Sequence, residues 1–187
     1  MRLGRVEFTA LLAFSMALAA LGIDMILPAF GEMRASFGLA EDSTAVAGTV
    51  TAYFFGLAIA QVVYGPLADR FGRKPTLYAG YSIYLLGAVA SALAPSLTAL
   101  LVARFIWGLG AAGPRVVTLS VIRDRFDGNE MSRAMSFIMA VFVLVPIMAP
   151  SLGAVVASVS SWRWVFGSCA VLVMLMALWA TRLEESL

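Results

Sequence analysis

Three ionisable side chains stand inside otherwise apolar stretches of this chain: Asp24 in "LGIDMILPAF", Arg104 in "LLVARFIWGLG" and Arg115 in "AAGPRVV". A charged group at the centre of a bilayer costs about 2.5–3.5 kcal/mol on insertion scales, so such residues mark substrate paths, proton relays or fixed internal ion pairs. Asp24 lies about six residues before the outer end of its apolar run, and Arg104 about seven residues into a run entering from the same side. At about 1.5 Å per residue the two sit at similar depth. They are expected to pair across the bundle, either as an acid whose protonation a neighbouring base tunes or as a static ion pair that fixes helix register. Arg115, on nearly the same helical face as Arg104, either lines a path or snorkels towards the nearer surface. One acid against two bases leaves a counter-charge to come from a substrate, another subunit or a part of the protein beyond this chain.

The second concentration of charge is the stretch "YGPLADRFGRKPTLYAGYS", with Gly65, Asp69, Arg70, Gly72, Arg73 and Lys74 set between two apolar runs. Gly65, Pro66 and Gly72 predict a tight, defined turn. Asp69 in so basic a loop requires specific partners: Arg70, Arg73, Arg123 or Arg125, or the positive end of a helix. Contacts of this kind, made in one conformation and broken in another, form a conformational latch.

Other chemistries find little material. The chain has no histidine and one cysteine, Cys169, inside an apolar run. Disulfides, cysteine metal sites, histidine triads and zinc motifs are therefore excluded, and neither a nucleophile–base pair nor a metal cluster suggests an enzyme. "GLGAAG" at 108–113 spells the dinucleotide fingerprint, but that fingerprint works only between a strand and a helix N-terminus. In mid-helix after an arginine, these glycines are expected to thin the helix for close packing or for a cavity. A net charge of +2 gives no reason to expect a nucleic-acid partner.

The elements that must position these residues follow from composition. Hydrophobic residues make up 61% of the 187 and charged residues 13%, against about 25% charged in soluble domains. Apolar runs long enough to cross a membrane recur near 8–30, 43–65, 75–94, 97–121, 133–157 and 162–181. The prediction is an all-α membrane protein, one bundle of six spans in the lipid bilayer, the first too long for a cleaved signal peptide. Arg2, Arg5, Arg70, Arg73, Lys74, Arg123, Arg125, Arg133 and Arg182 then share one side, and the positive-inside rule makes that side, with both termini, cytoplasmic. Small residues in four-residue steps (Gly48, Ala52, Gly56, Ala60; Ala149, Gly153, Ala157) serve close helix packing or a substrate path. Pro28, Pro114, Pro146 and Pro150 are expected to bend their helices.

Taken together, these motifs resemble the major facilitator superfamily, and within it the Bcr/CflA-like drug:proton antiporters. "GPLADRFGRKPTL" resembles the loop 2–3 signature, with Gly65, Asp69, Arg70, Gly72, Arg73 and Lys74 on its key positions. "LLVARFIWGLGAAG" resembles the fourth-helix motif around Arg104, with Trp107 where glutamine is commoner. "IDMILP" resembles the first-helix motif of drug exporters, and "VPIMAPSLGA" resembles a looser form of the helix-five antiporter motif through Pro146, Pro150 and Gly153. The resemblance implies the amino-terminal half, a 3+3 inverted repeat, of a twelve-helix transporter whose substrate binds between halves. It implies Asp24 as proton carrier beside Arg104, and Asp69 latching onto the eleventh helix of a missing carboxy-terminal half; Tyr53 and Phe54 either line the substrate path with Arg115 or serve as lipid-facing or packing residues. "TRLEESL" resembles the start of the link between halves. The protein would expel small amphipathic compounds across the bacterial inner membrane on the proton gradient, without a cofactor. The competing expectation is a natural half-length protein that transports nothing and partners another membrane chain.

Overall fold

The computed structural model describes residues 4–183, so Arg2 and the last four residues of "TRLEESL" lie outside the described part. Among the described residues all regular structure is helical. Helix α1 (Arg5–Asp24) ends where it does because of Pro28. Proline has no amide to offer the Asp24 carbonyl four residues back, and its ring crowds that carbonyl. The chain continues through a 3₁₀ turn at Leu27–Ala29 into the short α2 (Phe30–Ser36). The first expected span is thus one broken helix, Arg5–Ser36.

The remaining helices are α3 (Gly48–Phe71), α4 (Arg73–Ala92), α5 (Leu97–Arg125), α6 (Gly128–Val159) and α7 (Trp162–Ala180). Five stretches are long and apolar enough to cross a membrane: Arg5–Ser36, Ala45–Phe71, Leu97–Arg125, Gly128–Val159 and Trp162–Ala180. Helix α4, with 20 residues, has the length but less hydropathy, because Tyr78, Tyr81 and Tyr84 carry hydroxyls into it. Each hydroxyl is matched inside the bundle: Tyr78 and Tyr84 donate to the carbonyls of Ala177 and Leu18 at 2.9 Å, and Tyr81 shares a 2.6 Å hydrogen bond with Ser15. In hydrocarbon, where water cannot do this, such matching is what allows a tyrosine-rich helix to be a span.

Helix α5 is the centre. It packs against both α3 and α4, while α1 packs against α6, α5 and α7, and α4 against α7. The glycines of "GLGAAG" make this possible. A Cβ on Gly108 would overlap the carbonyl oxygen of Tyr53, one on Gly56 would overlap that of Phe105, and one on Gly110 would overlap the Tyr84 amide. Backbones thus touch across α3/α5 and α4/α5, the packing expected of small residues where lipid supplies no hydrophobic drive.

The turn between α3 and α4 differs from expectation. Gly65 and Pro66 do not turn the chain; α3 runs on through both to Phe71. Gly72 alone makes the turn, at φ 98°, a backbone region that residues with a Cβ rarely enter. Pro114, Pro146 and Pro150 sit inside continuous helices, while Pro28 coincides with a break.

Two glycine substitutions should therefore part company. Gly108→Ala is expected to lower stability by about 1–3 kcal/mol, as overpacking does, seen as a lower thermal midpoint in detergent. Gly65→Ala, whose Cβ meets nothing within 4 Å, should leave the midpoint unchanged or slightly raised.

Candidate functional site

Arg104 is fully buried. Its partner is not the carboxylate expected from depth alone: among the described residues Arg104 forms no ion pair, with Asp24 or any other acid. Its Nη1 donates to the carbonyl oxygen of Gly22 at 2.7 Å and its Nε to that of Thr49 at 3.3 Å. The Gly22 carbonyl is available because it belongs to the last turn of α1, which stops at Asp24. The final carbonyls of a helix lack intrahelical donors, and here a guanidinium takes one of them. The rest of the guanidinium is solvated by ring faces, its central carbon lying 4.5 Å from the Tyr53 centroid, 4.7 Å from Trp107 and 5.8 Å from Phe166. Its Nη2 finds no hydrogen-bond acceptor among the described residues. Tyr84 and Phe166 meet Trp107 edge-on, and the Tyr53 hydroxyl donates to the Ala19 carbonyl at 2.9 Å.

Asp24 is the terminal residue of α1 and half-buried. The next residue, Met25, meets α6: a Cβ on Gly153 would overlap the Met25 carbonyl oxygen. Ala149 and Gly153 are both buried, so the small stripe of α6 faces the α1 break, as packing requires. Three motifs spread over about 130 residues therefore meet at the break of α1, with Arg104 on α5 reaching Gly22 and Gly153 on α6 meeting Met25, the residues on either side of Asp24.

Other expected members of the path are placed less uniformly. Tyr53 is buried as a wall of the Arg104 cage, whereas Phe54 is 48% exposed and touches Tyr53 edge-on at 6.4 Å, pointing outward from this bundle. Arg115 is half-buried, with its guanidinium 5.6 Å from the Phe142 ring. Pro146 is exposed and Pro150 half-buried.

At the opposite end of α5, the loop between α3 and α4 forms a charged clasp. Arg73 Nη1 donates to Asp69 at 2.6 Å, and its Nε donates to Asp124 at 2.9 Å. Burial pulls the Arg73 guanidinium down, but the hydrogen bonds and charges of Asp124 and Asp69 outweigh it and hold the group above its ordinary value. Lys74 Nζ donates to the carbonyls of Thr181 at 3.1 Å and Leu183 at 2.5 Å, closing the end of α7. Arg70 lies over the ring of its neighbour Phe71 at 5.2 Å. Asp124 was not among the expected partners; its only signal is an acid between Arg123 and Arg125 in "IRDRF". Also unforeseen is Glu7, which accepts from the Trp179 indole at 3.2 Å and pairs with Arg182. At the other end, the Glu32 carboxylate accepts from the first amide of α7, at Trp162, at 3.1 Å, as suits an anion at a helix N-terminus.

Residues 12–187 match the profile of the family described as Major Facilitator Superfamily. An uncharacterized MFS-type transporter, YdgK, of Bacillus subtilis is 32% identical over 186 residues, which cover 98% of this chain and 46% of that protein. A bicyclomycin resistance protein homolog of Haemophilus influenzae is 32% identical over 78% of this chain and 36% of its own length. The multidrug resistance protein MdtL of Escherichia coli is 30% identical over 84% and 40%. This chain spans less than half the length of each relative and matches their amino-terminal part. Among solved structures, a D-xylose-proton symporter superposes with a TM-score of 0.83 at 17% identity, covering 97% of this chain and 48% of the symporter. A peptide transporter superposes at 0.75 with 20% identity. At such identities these two establish the fold alone.

The carbonyl-and-ring solvation of Arg104 orders its substitutions. Arg104→Met removes a buried charge and takes the guanidinium donor from the Gly22 carbonyl at the end of α1, a loss of about 1–3 kcal/mol. Arg104→Lys keeps the charge but loses the planar fork and the stacking. Thermal unfolding in detergent should rank the arginine protein first, the methionine variant second and the lysine variant last.

Proposed function

The chain belongs to the major facilitator superfamily, a family of membrane transporters, and from that premise we propose that it is the amino-terminal half of a proton-coupled exporter of small amphipathic compounds. The observation that carries this reading is Asp24 at the break of α1. Its position ends a helix whose negative pole faces it, and its neighbours are contacted by Arg104 and by Gly153. A proton or a cationic substrate arriving at Asp24 discharges a carboxylate at the joint where three helices meet. Either arrival thereby changes the electrostatics of the hinge rather than of a rigid segment, which is what coupling a proton to a conformational change requires. The names of the resistance-protein relatives support export of drug-like molecules as the substrate class.

In this reading Arg104 is the positioning residue that holds the broken end of α1, and the Asp69–Arg73–Asp124 clasp is the latch. The carboxylate of Asp69 is 69% exposed even while paired, so it has capacity for a further donor on a second six-helix half. Helix α3 offers that half an apolar face: Phe55 and Val62 are both more than half exposed. The basic end of the bundle, where Arg5, Arg73, Lys74, Arg125 and Arg182 gather, faces the cytoplasm of a bacterial inner membrane.

Vesicles provide the test. With a second six-helix half supplied, an imposed proton gradient should drive efflux of a fluorescent cation, and Asp24→Asn should reduce it at least tenfold while binding of the cation persists. Efflux that survives the substitution would remove Asp24 as the coupling site. Stable insertion with no transport under any pairing would favour a half-length structural partner instead.

A further inference from the structure

Where α1 and α6 both begin, a groove of about 320 Å³ opens between them. Its polar side carries Arg5, Glu130 and Arg133; its apolar side carries Val6, Phe126 and Phe137. A smaller hollow of about 210 Å³ adjoins it through Arg5 and Phe126 and adds Arg125, whose guanidinium lies 4.8 Å from the Phe8 ring. Arg5 pairs with Glu130 and sits 5.8 Å from the Phe126 centroid. The groove therefore holds two cations against one anion, an excess of one positive charge. Val6 is 83% exposed and Phe137 47% exposed, while Phe126 forms a buried floor.

This combination is selective about its occupant. The charges sit within the first two turns of two membrane-spanning helices, the depth at which lipid headgroups lie, and the apolar wall continues from them along α1 and α6. A soluble anion would use the arginines and leave Val6 and Phe137 bare. An acyl chain alone would leave Arg133 without a partner. We propose that the groove binds an anionic phospholipid, its phosphodiester between Arg133 and Arg5 and the first carbons of an acyl chain along Val6 and Phe137. The single negative charge of a phosphodiester matches the excess charge of the groove, and basic pockets between spanning helices take anionic headgroups for the same reason. Bound there, the lipid ties the start of α1 to the start of α6, the two helices that meet again at Met25 and Gly153. The site does not depend on the transport reading above.

The test is native mass spectrometry of the protein released from nanodiscs holding equal parts phosphatidylglycerol, phosphatidylethanolamine and phosphatidylcholine. Phosphatidylglycerol should be retained preferentially, and Arg133→Gln should lower its retention about fivefold, with circular dichroism verifying the fold. Arg123→Gln, an exposed arginine outside the groove, should lower it little. Equal retention of the three lipids by the unsubstituted protein would overturn the proposal without recourse to any variant. So would equal losses from both substitutions, which would indicate general surface charge. Displacement of the lipid by millimolar inorganic phosphate would also overturn it, since the arginines alone would then suffice.

Discussion

A guanidinium without water must be solvated by something else, and the way Arg104 meets that requirement organises the interior of this bundle. Its donors reach the Gly22 and Thr49 carbonyls and its faces meet aromatic rings. The Gly22 carbonyl is free only because α1 has stopped, and α1 stops only because Pro28 cannot continue it. A proline in the first apolar run and an arginine in the fourth are thus two halves of one arrangement. The aromatic shell is part of it as well. Trp107 contributes a ring face to the guanidinium, its centroid 4.7 Å from the central carbon.

The same central helix has to be thin. An arginine and a tryptophan take the space on one side of α5, so close contact with α3 and α4 is made through Gly108 and Gly110, with Gly56 answering from α3. Backbone contact on these sides gives α5 the rigidity to hold a buried charge. Helix α6 differs: its most apolar stretch is 17% buried, against 67% for that of the broken first helix. Its buried residues are Ala134, Ile138, Ala149 and Gly153, and the last of these meets the backbone of Met25 at the end of α1.

What the sequence disclosed, and what it withheld, follows from the range of each interaction. Helical spans are local properties of apolar runs, and the thinning role of "GLGAAG" follows from glycine's missing side chain; both were legible. Depth along two helices placed Asp24 and Arg104 at the same level, but depth says nothing of azimuth. The choice of a carbonyl over the carboxylate was hidden until the helix end was seen. Gly65 and Pro66 read as a turn because local chemistry favours one, yet α3 continues through them, and a single glycine at positive φ reverses the chain. Asp124 escaped notice because its partner lies fifty-one positions away, and nothing in either neighbourhood specifies the pairing. The hydroxyls of Tyr78, Tyr81 and Tyr84 lowered the apolar signal of α4 in the very places where tertiary hydrogen bonds restore its fitness for the membrane.

Lys74 extends the clasp to the end of α7. Because its ammonium grips the carbonyls of Thr181 and Leu183, the point where the backbone leaves the sixth span is fastened to the same short turn that Arg73 fastens to α5. A rotation of that turn cannot occur alone. It would carry the end of α7, as far as Leu183, along with it, as a crank carries its arm.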